Sequence, residues 1–165
     1  MKAGRRHESL IPLSREHHYG LVVSLKIHRE LEKHIADTDW LNDRANKVIR
    51  FFDSDLRAHF RVEEEIVFPA MSGIEEARAT VEQLIADHRN LERLVDRLRQ
   101  ASEVEAGPLL RQFADVLETH IHTEERVLFP CYEQNLTARQ ADKVKTAILE
   151  SIGTAMQPKQ PDLLE

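Results

Sequence analysis

The chain is poor in the residues that build disulfide scaffolds, sheets and membrane spans. Among 165 residues there is one cysteine, Cys131, which excludes an intramolecular disulfide framework and suits a reducing compartment. Glycine (5) and proline (6) are scarce, aromatic residues make up 5%, and β-branched runs are few, which argues against a sheet and for an all-helical chain. No stretch approaches the roughly 18 apolar residues of a membrane span. The basic start, MKAGRR, is not followed by the apolar run of a signal peptide. Basic charge is short as well: 23 Lys and Arg face 29 Asp and Glu, for a net charge of −6, which weighs against nucleic acid as a partner. These absences read as a cytoplasmic protein with no membrane or nucleic-acid partner. With 41% hydrophobic residues, the length suits one domain, 1–165, with a proper core. What the chain has in excess is histidine, 9 in all.

The pattern predicts an all-α fold: an antiparallel up-down four-helix bundle over about 13–133, a short fifth helix over about 137–152, and a mobile tail, 153–165. The first helix is expected from Ser14, as N-cap, to about Ala36. The second runs from about Trp40 to Phe68, where Pro69 disfavours continuation, with Asp37, Thr38 and Asp39 offering capping oxygens ahead of it. Ser72-Gly73-Ile74-Glu75 has the form of a capping box and opens a third helix to about Glu103. Gly107-Pro108 opens a fourth, ending near Pro130, and Thr137 to Gln140 is a second capping box ahead of the fifth. The fifth helix is expected either to cover the bundle or to support a homo-oligomer.

Two helices carry polar groups inside apolar stripes. In the fourth, Phe113, Val116, Leu117, Val127 and Leu128 share the 3, 4, 7 spacing of a buried face with His120 and Glu124. In the third, His88 lies among Leu84, Ile85, Leu91 and Val95 in the same way. The chain also repeats itself. His59-x-x-x-Glu63-Glu64-x-x-x-Phe68-Pro69 matches His120-x-x-x-Glu124-Glu125-x-x-x-Phe129-Pro130, and upstream Leu13-x-x-Glu16-His17 matches Leu84-x-x-Asp87-His88.

Residues four apart on a helix point within about 40° of one another, one turn along. His59 with Glu63, and His120 with Glu124, can therefore face the bundle axis together, where His17 and His88 would join them. Four imidazoles and two carboxylates in one buried volume are costly without a cation, and they are good ligands for iron, manganese or zinc. Two divalent ions would exceed the charge of the two glutamates, which invites a bridging oxide, hydroxide or reduced oxygen species.

This H…HxxxE…H…HxxxE arrangement resembles the hemerythrin-like (HHE cation-binding) family over roughly residues 10–133. The resemblance implies a bundle holding two iron ions as an oxo- or hydroxo-bridged centre. It implies His17, His59, Glu63, His88, His120 and Glu124 as ligands, with Glu63 and Glu124 bridging. Oxygen-carrying hemerythrins have a further histidine one turn from the third-helix ligand, whereas Leu84 and Glu92 stand at that spacing here. The resemblance therefore implies a more open site, suited to a small diatomic or peroxide ligand rather than to simple oxygen carriage. Redox handling of dioxygen, peroxide or nitric oxide, or repair of damaged iron centres, is one expectation. An oxygen- or iron-sensing module without turnover, or a purely structural metal-dependent bundle, are the others.

Some neighbours compete for these roles. His18 is the alternative to His17, which the match of Glu16-His17 to Asp87-His88 favours. His122 lies about 200° from His120 and is expected to face solvent. His28 is expected to be structural or to line one end of the bundle, and His7 and His34 to be solvated. Glu64, Glu65 and Glu125 read as surface charges, with Glu64 or Glu125 as substitutes for their neighbours. Tyr19 and Tyr132 are candidate extra ligands or proton donors, and Cys131 reads as an apolar filler.

Overall fold

The computed structural model describes residues 6–153, so the tail expected to be mobile lies almost wholly outside the described residues. Among them no strand forms and no helix is long and apolar enough to cross a membrane. Five helices follow one another: α1 (Ile11–His34), α2 (38–70), α3 (Glu75–Gln100), α4 (103–135) and α5 (Ala138–Gly153). The connections between α1, α2, α3 and α4 are only a few residues each, which folds the chain back on itself as an up-down bundle. α1 and α3 both lie along α4, and α5 packs beside the end of α2.

Several ends differ from the sequence expectation. α1 starts at Ile11 with Pro12 in its first turn, and Ser14, expected as the cap, instead bonds Glu125 through its hydroxyl. The Asp37 carboxylate does cap α2, accepting from Trp40 N–H at 3.0 Å. Ser72 makes no capping box, and α3 begins after Ile74 without a side-chain cap. α3 stops at Gln100 because Ser102 and Glu105 form a reciprocal capping box that opens α4 at Glu103, four residues before Gly107-Pro108. Thr137 and Gln140 form the expected box ahead of α5.

Pro69 lies one residue before the end of α2 at Ala70, close to the expected stop, whereas Pro130 sits inside α4, which runs on to Asn135. A proline ring collides with the carbonyl four residues back and cannot donate to it. Each helix absorbs this by widening into a π-turn just upstream, Glu63–Val67 and Glu124–Leu128. There Phe68 N–H reaches Glu63 O and Phe129 N–H reaches Glu124 O, five residues back. The wider turn also shifts the register of the apolar face, so Leu128 is buried and Val127, expected in the stripe, is 52% exposed.

The core falls into two apolar clusters. One, toward the α1–α2 turn, includes Val23, Ile27, Val48, Phe113 and Leu117. The other, at the opposite end, includes Leu13, Phe68, Leu84, Phe129 and Tyr132, and is closed over by Val144 and Ile148 of α5. On every bundle helix the buried histidines and glutamates fall at the boundary between the two clusters.

Candidate metal centre

Four helices deliver one polar layer to that boundary. α1 supplies His17, α2 His59 and Glu63, α3 His88, and α4 His120 and Glu124, and all six side chains are buried. They form two overlapping groups. His17, His59, Glu63 and Glu124 bring one ligand atom each to within 4.8 Å of one another, and so do Glu63, His88, His120 and Glu124. Both glutamates belong to both groups. His59 Nε2 lies 2.8 Å from Glu63 Oε1, and His17 Nε2 3.0 Å from Glu124 Oε2. His88 Nε2 is 3.3 Å from Glu63 Oε2, and His120 Nε2 3.3 Å from Glu124 Oε2.

Every imidazole turns its other nitrogen outward to a carboxylate. Nδ1 of His17 faces Glu125 Oε1 at 2.7 Å, and Nδ1 of His59 faces Glu16 Oε2 at 2.5 Å. Nδ1 of His88 faces Glu64 Oε1 at 2.7 Å, and Nδ1 of His120 faces Asp87 Oδ2 at 3.7 Å. A carboxylate at Nδ1 assigns the proton there and leaves Nε2 a lone pair. Four Nε2 lone pairs and four carboxylate oxygens then converge with no donor among them, and all four oxygens of Glu63 and Glu124 lack a hydrogen-bond partner. Buried acceptors without donors are strongly unfavourable, and a cation resolves the conflict, so the donor set fits metal.

Protons are the substitute when metal is absent. Burial pulls the His59 pKa down, but the charge of adjacent Glu63 and the hydrogen bond to Glu16 outweigh it and raise it to about 9. His17 and His120 also rise against their burial, through Glu124 together with Glu125 and Asp87 respectively. Burial alone would raise Glu63, yet His59, His17 and His88 hold it well below the usual carboxylate range.

Aromatic rings seal the layer. Phe129 stacks on His17 at 5.5 Å between centroids, and Phe68, its repeat counterpart, stacks on His88 at 5.8 Å. Phe60 stacks on His88 at 3.8 Å and meets His120 edge-on at 5.6 Å.

The outward carboxylates correct the sequence reading of Glu64 and Glu125 as surface charges. Both are half-buried, and hydrogen bonds to His17 and Ser14 overcome burial to bring Glu125 to about 2. Glu65 is exposed as expected. The signal for these anchors was present in the repeat, as an acid before His17 of α1 and His88 of α3 and an acid after each Glu of the HxxxE motifs. Their partners lie on other helices: Glu16 of α1 holds His59 of α2, whereas Glu64 of α2 holds His88 of α3.

The remaining candidates separate from the layer. His18 is exposed, and His122 and Tyr19 are half-buried. His28 sits 3.5 Å from Asp115 and 3.4 Å from Glu118 on the flank of α4. His7 is not fully solvated but half-buried, with Nδ1 2.8 Å from Ser9 Oγ, and His34 stacks on Trp40 at 4.9 Å. Tyr132 is fully buried and meets Ser9 Oγ at 3.1 Å. Cys131 is half-buried against the apolar cluster around Tyr132.

Comparison with known proteins agrees with this geometry. A "DNA nickase" of Nostoc sp. (strain PCC 7120 / SAG 25.82 / UTEX 2576) is 28% identical over 94 residues, 56% of this chain but 26% of that protein. The chain thus spans about a quarter of the length of that relative. No solved structure matches the chain with significance. The hemerythrin HHE cation binding domain matches over residues 10–132, which takes in all six buried polar residues of the layer. The chain belongs to the hemerythrin HHE cation-binding family.

Proposed function

We propose that this protein is a non-haem di-iron protein that handles dioxygen, peroxide or nitric oxide in the cytoplasm. One observation carries the reading: two four-residue ligand groups share both of their carboxylates, Glu63 and Glu124. Such a set would hold two ions, His17 and His59 on one and His88 and His120 on the other, with both glutamates shared between them. The mixed imidazole and carboxylate set suits iron and other divalent first-row metals. Each group offers two imidazoles and the shared carboxylates, and Glu92, at the spacing of a further histidine, pairs instead with Arg89 at 3.1 Å, so a bound ion would keep room for a small ligand.

Iron bound there would supply two electrons to dioxygen or peroxide, or a coordination position for nitric oxide. The chain's own part is to hold and shield. Glu125, Glu16 and Glu64 fix the rings of His17, His59 and His88 through Nδ1, leaving each Nε2 free as a donor atom. Phe60, Phe68 and Phe129 cover imidazole faces and keep bulk water from the layer.

Metal analysis of protein from iron-replete cells tests the centre, with close to two ions per chain expected. Less than one per chain after anaerobic ferrous reconstitution overturns it. Stopped-flow spectra of the ferrous protein mixed with dioxygen, peroxide or nitric oxide test the chemistry. Rapid turnover supports a protective or repair role, a stable adduct identifies a binding or sensing module, and optical silence removes the redox reading.

A further inference from the structure

The two ligand groups match in the repeat but are not anchored alike. In the group of His17 and His59, both outer nitrogens are held, at 2.7 Å by Glu125 and 2.5 Å by Glu16. In the group of His88 and His120, Glu64 holds His88 at 2.7 Å, but Asp87 stands 3.7 Å from His120. That separation is outside hydrogen-bond range, and His120 Nδ1 has no hydrogen-bond partner. The cause is legible in the repeat: Glu16 and Asp87 occupy the same position, and aspartate is one methylene shorter. Gln83 then takes up the other oxygen of Asp87, donating to Oδ1 at 2.8 Å.

A carboxylate bound to the outer nitrogen fixes the ring of a metal-ligating histidine and makes its inner nitrogen more basic. Removing such a partner costs about 10–100-fold in metal affinity. The geometry points to two unequal metal positions: a tight one at His17 and His59, filled first, and a looser one at His88 and His120, filled second, with the Glu16-to-Asp87 difference setting the gap. This rests on the two-metal reading above and adds an order of filling to it.

The test is an anaerobic titration of the metal-free protein with Co²⁺ alone, followed by visible absorption and by hyperfine-shifted NMR of the exchangeable imidazole protons. The wild type should fill in two steps about 10–100-fold apart, with the signals of His17 and His59 appearing in the first. Asp87→Glu, which restores the missing methylene, should tighten the weaker step and leave the stronger one unchanged. Glu16→Asp should loosen the stronger step alone. Circular dichroism confirms that the two acid-for-acid variants keep their helices, and the wild-type titration decides even if one variant does not fold. Two indistinguishable or cooperative wild-type steps, or first-step signals from His88 and His120, overturn the inequality while leaving the two-metal reading intact. Fewer than two bound ions overturns that reading itself.

Discussion

Glu125 of α4 reaches His17 of α1 across the helix interface, its Oε1 2.7 Å from the imidazole Nδ1 and 2.6 Å from Ser14 Oγ. Arg6 holds the other oxygen, Oε2, at 2.7 Å. An exposed glutamate would contribute little, but this one is half-buried and fixes the ring of a buried donor. Glu125→Gln keeps the shape and removes the charge, so metal affinity should fall about 10–100-fold in a chelator competition assay. Glu65→Gln, on the exposed side of α2, should leave affinity unchanged and serves as the control. Equal affinities for the two variants would show that the carboxylate at His17 does not support metal.

The metal-free protein should have a stability profile set by protons standing where metal would be. His59 is raised to about 9, so its contribution is complete below its ordinary 6.5 and is lost as pH rises toward 9. Glu125 is lowered to about 2, so its contribution is complete above its ordinary 4.5 and is lost as pH falls toward 2. Thermal melts of the apoprotein should therefore be highest between these two limbs and decline on either side. Metal reverses the alkaline limb, because bound imidazoles are already neutral, and adds an acid limb where protons displace it. An apoprotein melting temperature that rises between pH 7 and 9, or that equals the metal-loaded value throughout, contradicts this account.

α1 and α4 approach closely one turn beyond His17. A Cβ built on Gly20 would stand 2.7 Å from Ile121 Cδ1, and Ile121 follows His120 directly. Leu91 occupies the repeat position of Gly20, so the two halves of the layer are packed differently at this level. Gly20→Ala adds about 1 kcal/mol of helix propensity but must push the flexible end of Ile121 aside, so the two effects should nearly offset in denaturant unfolding. Ile121→Val removes the clashing methyl, so Gly20→Ala should be more favourable in the Ile121→Val background than in the wild type. Simple additivity of the two changes would mean that the contact is relieved elsewhere.

The bundle and its polar layer were legible because both rest on local periodicity. His59 and Glu63 share a helix face by spacing alone, and the copy at His120 and Glu124 repeats it. Of the two proline stops, Pro69 held to within two residues, with α2 ending at Ala70, but Pro130 did not end α4. A π-turn at Glu124–Leu128 absorbs Pro130, and no local rule separates a widened turn from a broken helix. The outer carboxylates escaped for a different reason. Glu64 is separated in sequence from His88, and Glu125 from His17, so the pairing depends on how helices pack rather than on any spacing within one of them.

Substitution of each histidine in turn gives the sharpest test of which residues hold metal. Glu63→Ala and Glu124→Ala each remove a carboxylate common to both ligand groups, so either should perturb both ions together. His17→Ala or His88→Ala removes a donor from one group only and should leave a partly loaded protein with an altered spectrum. The controls lie close in sequence and apart in space. His18 follows His17 but is exposed, and His28 pairs with Asp115 and Glu118 at the flank of α4. His18→Ala and His28→Ala should each retain about two ions per chain by elemental analysis. His122→Ala should do the same, since His122 belongs to neither ligand group and its neighbour His120 supplies the inward nitrogen. Loss of metal in His18→Ala together with its retention in His17→Ala would move the first-helix donor by one residue and rotate α1 by about 100°. That rotation would turn Leu13 out of the core as well, so the same variant pair also reports on the packing of the bundle.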